Sequence, residues 1–421
     1  HGSAAFVALA RLQLSGAPHS QDQRWRLLLS RASELLPAFR PQALANVLWA
    51  SAKLAQGTKG ACHPGEVFLW ALVSESELKL RDFNSQDLSN SLWAFAALSH
   101  NPGEEFLHAI VQEAGKKLKT FDPQNLANSL WACATLGHHP GDEFLGLLVK
   151  EARKKLSAFK PQHLSNSLWA CAKVSYKPHE VFLQSLAAEA KRKLCSFSPQ
   201  NISNLLWAYS QLDFHPGSGL MQAILSEWHS KMAGFTPQNL TNSLCAYAKQ
   251  LHHPGPAFLQ FLVHQSRGRL AGFSSQDMAN TLWAHAALAH HPGEEFMVEV
   301  LAESHRQMAS FCPHEITSIL WACATLGCQD LPWRALVVEC KRKLSSFTPH
   351  DLVTCMWACV VLREGRAHEH RAPVPSGAAT DVMRGVHART HSEPHLAPAS
   401  RGWRGHFGGH DGPLQIPGEN Q

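Results

Sequence analysis

Apolar residues recur at helical spacing through most of the chain, and the pattern itself repeats every 38 residues. The stretch from Pro123 reads PQNLANSLWACATLGHHPGDEFL, and the stretch from Pro161 reads PQHLSNSLWACAKVSYKPHEVFL. Within each stretch, leucines and alanines fall three and four residues apart, which is typical of an amphipathic helix. No segment shows the strict alternation that predicts a strand. A fixed period of this length predicts tandem repeats built from helices.

A tryptophan marks the register of the repeats. Cys245 takes its place in one repeat, and the first interval is longer because about six extra residues, from Gly57 to Cys62, form a predicted loop. Nine repeats are marked in this way over residues 41–362, and residues 1–40 resemble a degenerate N-terminal repeat. The tryptophans are Trp49, Trp93, Trp131, Trp169, Trp207, Trp283, Trp321 and Trp357.

Each repeat is predicted to form two helices. The first, helix A, begins at a proline, whose missing N–H would be unpaired in the first turn anyway. The preceding residue is often a good N-cap, such as Asp122 or Ser198. Helix A ends near a Pro-Gly turn, and the second helix, helix B, ends in a cationic turn that suits the helix dipole. Tandem hairpins of this kind predict an all-α fold, an α-solenoid of about nine to ten repeats.

The composition changes after Leu362. Residues 363–421 contain no lysine and are rich in Gly, Pro, His and Arg, which predicts a disordered tail. The ninth repeat then lacks its helix B, so the tail either is the natural end or replaces further repeats. Because the sequence begins at His1 without a methionine, we expect a fragment in which a targeting segment would not be visible.

Two polar positions of helix A are as regular as the apolar ones. With the tryptophan as position 0, positions −5, −1 and +3 form the apolar face, and positions −7, −3 and +4 share another face within about 40°. At positions −7 and −3, the last two repeats carry His314 with Ser318 and His350 with Thr354. Position −6 is variable but mostly polar, as at His163. In the other seven repeats, positions −7 and −3 hold Gln42 and Asn46, Gln86 and Asn90, Gln124 and Asn128, Gln162 and Asn166, Gln200 and Asn204, Gln238 and Asn242, and Gln276 and Asn280.

The unit F-x-P-Q-x-L-x-N-x-L-W-A-x-A-x-L-G resembles the octotricopeptide repeat, a helical hairpin of 38 residues, and the resemblance covers residues 41–362. The unit is also similar to the repeats of the RNA-editing substrate-binding complex 6 family and of FAST-kinase-like organellar proteins. The resemblance implies a protein that binds single-stranded RNA in a chloroplast or mitochondrion. It implies other proteins of a ribonucleoprotein as further partners. It implies a role in transcript processing, stability or translation. Many such proteins end in a RAP domain, and this sequence contains none.

The Gln and Asn series has two possible interpretations. Other helical repeats read one RNA base per unit with two or three side chains, and amides pair well with base edges while an aromatic ring stacks. A fixed polar pair beside a variable position −6 fits such reading. In the structural alternative, each Asn bonds the backbone of the next repeat, each Gln caps its own helix, and the tryptophans are mostly buried between repeats.

A second series lies in helix B, four residues before the Phe that closes each repeat. Stacked repeats would align these cations into a ladder for an RNA phosphate backbone. The alternative is complementation of the helix dipole and solubility. The position holds Lys79, Lys117, Lys155, Lys193, Lys231, Arg269, Gln307 and Lys343.

The overall composition and the motifs that are missing reduce the number of function classes to consider. The formal charge of +5 is mild, and no apolar run is long enough to span a membrane. The eleven cysteines include no CxxC pair, and four follow a tryptophan of the series by two residues, so we interpret them as small core residues. Phosphate-binding, HExxH and GxSxG motifs are missing, so we expect no enzyme, no metal site and no cofactor. The competing function is a peptide- or protein-binding solenoid scaffold.

Overall fold

The computed structural model describes residues 23–328 and 333–367, and every regular element in these ranges is helical. Residues 1–22 of the predicted degenerate repeat and residues 368–421 of the predicted tail lie outside the described residues. The helices, numbered in chain order, are α1 (Gln23–Leu35), α2 (Pro41–Gly57), α3 (Glu66–Leu78), α4 (Ser85–Ala97), α5 (Glu104–Lys117), α6 (Pro123–Leu136), α7 (Asp142–Lys155), α8 (Pro161–Lys173), α9 (Glu180–Arg192), α10 (Pro199–Gln211), α11 (Ser218–Lys231), α12 (Pro237–Lys249), α13 (Pro256–Arg267), α14 (Ser275–Ala287), α15 (Glu294–Arg306), α16 (Pro313–Leu326), α17 (Trp333–Lys343) and α18 (Pro349–Ala367).

The even-numbered helices are the predicted helices A, and the odd-numbered helices are helices B. Helix α2 is followed by turns over residues 58–62, where the sequence predicts a loop. Each helix B passes into a three-residue 3₁₀ turn, such as Leu118–Thr120 after α5, which the sequence analysis did not predict. The turn ends at a phenylalanine with extended backbone, for example Phe121, whose side chain is buried.

The starts of helices A follow the predicted chemistry. The Asp122 carboxylate accepts a hydrogen bond from the backbone N–H of Asn125 (2.7 Å), and the Asn125 amide oxygen accepts one from the backbone N–H of Asp122 (3.2 Å). Ser198 and Thr236 make the same reciprocal capping box. Because these bonds satisfy N–H groups that an isolated helix leaves unpaired, helix α6 begins at Pro123, directly after its cap Asp122.

Neighbouring helices A pack side by side, in the order α2, α4, α6, α8 and in the order α10, α12, α14, α16, α18. The predicted core leucines Leu126 and Leu130 are 0% and 2% exposed. Small buried side chains at position −4, such as Ser89 and Ala127, let the helices approach closely, and the Asn125 amide donates to the Ser89 hydroxyl of the preceding repeat at 2.8 Å. This serial packing of helical hairpins confirms the α-solenoid.

The described chain divides into two compact units. The first contains α1–α9 and the second contains α10–α18. In the second unit, Phe296, Phe311 and Leu320 belong to one continuous apolar core. None of the helices described in either unit has both the length and the hydrophobicity to cross a bilayer.

The tryptophan series is less buried than the structural alternative requires. Trp93 and Trp321 are 3% and 7% exposed, but the other six tryptophans are partly exposed. The prediction that the series is mostly buried is therefore only partly correct. The cysteines at the repeated position of the first unit, Cys133 and Cys171, are buried with free thiols, as expected of core residues.

Candidate functional site

The polar face of helices A carries the Gln and Asn pairs, which we call the amide stripe of each unit. Gln42 and Gln86 are exposed, the other glutamines are partly exposed, and the asparagines are partly exposed except Asn166, which is 5% exposed. The first unit's stripe consists of Gln42, Asn46, Gln86, Asn90, Gln124, Asn128, Gln162 and Asn166. The second unit's stripe consists of Gln200, Asn204, Gln238, Asn242, Gln276 and Asn280.

The side chains of both amide stripes form no hydrogen bond to any residue that the structure describes. The glutamines do not cap their helices, and from α4 to α14 the N-cap residue and the residue at −6 form the capping box instead, as Asp122 and Asn125 do. The asparagines do not bond the backbone of the next repeat. Asn166 even has a buried amide oxygen without a partner among the described residues. Neither hydrogen-bonding role that the structural interpretation assigns to these amides is therefore observed.

Position −6 has a structural role in most repeats, and its part in base reading stays a prediction. Asp87 accepts a hydrogen bond from the backbone N–H of Asn84 (3.1 Å), and His163 accepts one through Nδ1 from the backbone N–H of Lys160 (3.3 Å). Asp87 is only 4% exposed, and burial raises the pKa of its carboxyl group. Asp, Asn, Glu and His alternate here from α4 onward because the capping box requires only a hydrogen-bond acceptor of suitable reach, whereas α2 has Ala43 at this position and no side-chain cap.

The cation series of helix B lies against the preceding repeat. The Lys117 ammonium donates to the backbone carbonyls of Arg81 (2.7 Å) and Phe83 (2.6 Å), and Lys193 donates to those of Ser157 (2.7 Å) and Phe159 (2.5 Å). Lys155 donates likewise to the carbonyls of Lys119 and Phe121, and Arg269 to that of Phe235. We call these side chains, with Lys79, Gln307 and Lys343, the clasp residues, because each joins helix B to the closing phenylalanine one repeat earlier, and the lysines also bond the 3₁₀ turn before it.

A carboxylate four residues earlier pairs with many clasp residues. Glu113 lies 2.9 Å from the Lys117 ammonium, and it also accepts a hydrogen bond from Lys116 (2.8 Å). These two lysines lower the pKa of the Glu113 carboxyl group. Lys231 lies 3.7 Å from Glu227. The predicted ladder cations Lys117, Lys155, Lys193, Lys231 and Arg269 thus have partners within the protein, and phosphate binding by them stays a prediction.

The sequence analysis missed a second set of cations, Lys53, Lys173 and Lys249. They are the only Lys or Arg residues on the eight helices A from α2 to α16, and all three occupy position +4. In each helix, position +4 lies on the face of the amide stripe. The Lys53 ammonium lies over the Trp93 ring of the next repeat, 5.0 Å from its centroid. A search for charges at +4, the third position of this face, would have found them.

Lys53 is partly buried, whereas Lys173 and Lys249 are exposed. Desolvation lowers the pKa of the Lys53, Lys173 and Lys249 ammonium groups. The acidic residues of the same eight helices, Asp87, Asp277 and Glu315, all lie at position −6. The face that carries the amides therefore combines neutral donors and acceptors with cations and has no carboxylate at −7, −3 or +4.

Comparison with known protein families relates the chain to a translation factor. The family model described as Tbc2 translation factor, N-terminal domain, matches residues 51–190, 179–359 and 256–393. These overlapping matches together span residues 51–393, which is more than half of the 421 residues. No curated protein shows significant sequence similarity to the chain.

Proposed function

The chain belongs to the family of the Tbc2 translation factor N-terminal domain, and from that premise we propose that it binds single-stranded RNA without catalysis and supports translation of an organellar transcript. Transcript processing and stability are the related outcomes of the same binding. The host compartment in this proposal is a chloroplast or a mitochondrion, and other proteins of a ribonucleoprotein are further partners.

The observation that carries the proposal is the unpaired state of the amide stripes. Buried or half-buried polar groups in folded proteins are normally hydrogen-bonded. Yet pairs such as Gln124 and Asn128 have no partner among the described residues, and they recur in seven successive repeats. An amide offers a donor and an acceptor side by side, which matches the edge of a nucleobase. The partly exposed tryptophans beside the stripe, such as Trp131, offer ring surface on which a base can stack.

A peptide is the second ligand class that unpaired amides suit, because they can also bond an extended backbone. The charge of the face that carries the amides favours RNA over a peptide as the ligand. Lys53, Lys173 and Lys249 lie on the face of the amides, and the acidic residues of the eight helices A from α2 to α16 all lie at −6. A polyanion is therefore attracted to this face, whereas a basic peptide is not.

A selection experiment tests RNA binding directly. The purified chain is incubated with a random-sequence RNA pool, and the retained RNA is sequenced and compared with a single-stranded DNA pool and a peptide library. We expect enrichment of a defined RNA motif. In the double variant Gln124→Ala/Asn128→Ala, affinity for that motif should fall, while Gln184→Ala, which removes an exposed amide from helix B, should leave it unchanged. Retention of peptides without RNA enrichment would replace the proposal with the scaffold function.

Translation and location are tested in the host. Loss of the protein should reduce ribosome occupancy on one organellar transcript more than it reduces the abundance of that transcript. A tagged full-length protein should copurify with chloroplasts or mitochondria. Equal losses of occupancy and abundance would instead assign the protein to transcript stability, and a signal confined to the cytosol would contradict the organellar role.

A further inference from the structure

We propose that Lys53, Lys173 and Lys249 bind phosphate groups of the RNA, so that the phosphate backbone follows helices A beside the amide stripes and not the clasp residues of helices B. This inference rests on the proposed RNA-binding function and goes beyond it by naming the phosphate sites. It also differs from the sequence-based expectation, which assigned the phosphates to the cations of helix B.

Position is the first support. On α2, Gln42, Asn46 and Lys53 lie within about 40° of one another around the helix axis. Lys53 is seven residues beyond Asn46, which is about 10 Å along the axis. A lysine with its flexible four-carbon stem can therefore reach a phosphate whose nucleotide presents its base to the amides. Lys173 and Lys249 have the same spacing from Asn166 and Asn242.

Selective placement is the second support. Charged residues are common on helices B, where they complement the dipole and pair with glutamates, as Lys154 pairs with Glu151. On the eight helices A from α2 to α16, lysine occurs three times, always at +4. Solubility alone does not explain this pattern, because exposed positions of these helices outside +4, such as Gln42 and Gln86 at −7, carry no charge.

The environment of the ammonium groups is the third support. A clasp residue such as Lys117 directs its ammonium to two carbonyls and a carboxylate of the protein. The Lys53 ammonium instead faces the ring of Trp93, and a ring attracts the cation while its remaining N–H donors stay available to a ligand. Partial desolvation lowers the pKa of all three lysines. At Lys53, a bound phosphate adds a counter-charge to a partly buried cation, and the reduced local dielectric strengthens that contact.

The experiment measures how RNA affinity depends on salt. A fluorescent pool of random-sequence 30-nucleotide RNA is titrated with the full chain between 50 and 300 mM salt. The triple variant Lys53→Met/Lys173→Met/Lys249→Met is compared with the control Lys150→Met/Lys191→Met/Lys341→Met. The control removes three exposed lysines of helices B, two in the first unit and one in the second, so the change in net charge is the same.

Each single-strand phosphate contact contributes about 0.7 to the slope of log affinity against log salt. We therefore expect the helix A variant to reduce this slope by about 2 and to lose affinity at least tenfold, and the control to change it little. Equal losses in both triple variants, or an unchanged slope in the helix A variant, would overturn the inference. A slope reduced instead in Lys117→Gln/Lys155→Gln would place the phosphates on helices B. If the unaltered chain binds no RNA at any salt concentration, the proposed function fails as well.

Discussion

The side chain of Gln307 donates a hydrogen bond to the backbone carbonyl of Phe273 at 3.1 Å, at the position where other repeats use lysine or arginine. It also donates to the Glu303 carboxylate four residues earlier. A neutral amide thus makes both contacts that Lys117 makes with Phe83 and Glu113. The position requires an N–H donor of sufficient reach, and its cationic character follows from the length and donor count of lysine.

The clasp residues should therefore contribute to stability through hydrogen bonding more than through charge. We expect Lys117→Met to lower the free energy of unfolding by about 1–3 kcal/mol, because two backbone carbonyls lose a charged donor. Lys117→Gln should retain at least half of that stability. Urea unfolding measures both, with Lys150→Met as a control that removes an exposed lysine. An equal loss of stability in the Met and Gln variants would show that the positive charge of Lys117 is required for its stabilising effect.

Two asparagines of α6, three residues apart, should behave differently. Asn125 caps the helix and bonds Ser89, so Asn125→Ala should cost about 1–2 kcal/mol of stability. Asn128 has no hydrogen-bond partner among the described residues, so Asn128→Ala should leave the melting temperature within about 1 °C of the unaltered protein. Thermal melts followed by circular dichroism compare the two. A large loss of stability in Asn128→Ala would support a structural role for the amide stripes.

Asn166 tests recognition at a single residue. Its amide oxygen is buried and unpaired among the described residues, so Asn166→Ala removes no hydrogen bond from the folded protein. If the amide pairs with a base edge, the free energy of binding to the selected RNA should become less favourable by about 1–3 kcal/mol. Calorimetric titration gives the affinity, and a melt of the same variant gives the stability. Lower stability with intact affinity would exclude Asn166 from RNA recognition.

His163 should make stability depend on pH. Burial, with the charges of Lys160 and Lys193 opposed by Asp122, lowers its pKa from 6.5 to about 4. The unfolded chain therefore takes up the proton first, and the stability that His163 contributes is complete above about pH 6.5 and is lost as the pH falls toward 4.

Asparagine occupies the same capping position at Asn125, Asn201 and Asn239, so His163→Asn is a matched variant. The free energy of unfolding of this variant should equal that of the unaltered protein at pH 7.5 and exceed it at pH 5 by on the order of 1 kcal/mol. Melts across this pH range measure the difference. A constant difference between the two proteins would show that His163 is not the titrating group.

Much of the architecture was predictable because it depends on local chemistry. Prolines such as Pro123, preceded by Asp122 and followed by leucines at helical spacing, specify where a helix begins and which face is buried. These signals act within a few residues and recur in register, so one repeat predicts the others. The shared face of Gln124 and Asn128 follows from the same helical geometry.

The tertiary structure decided which polar groups are already bound. Lys117 meets the carbonyls of Arg81 and Phe83, more than thirty residues away, and a sequence shows the donor but not a backbone acceptor that only repeat packing brings near. The residue at −6 is recognised as a cap only once the helix start is built around it. Lys53 over Trp93 likewise depends on how adjacent repeats pack. Periodicity and capping involve residues that are close together in the sequence, whereas a hydrogen bond between repeats depends on distances that packing sets.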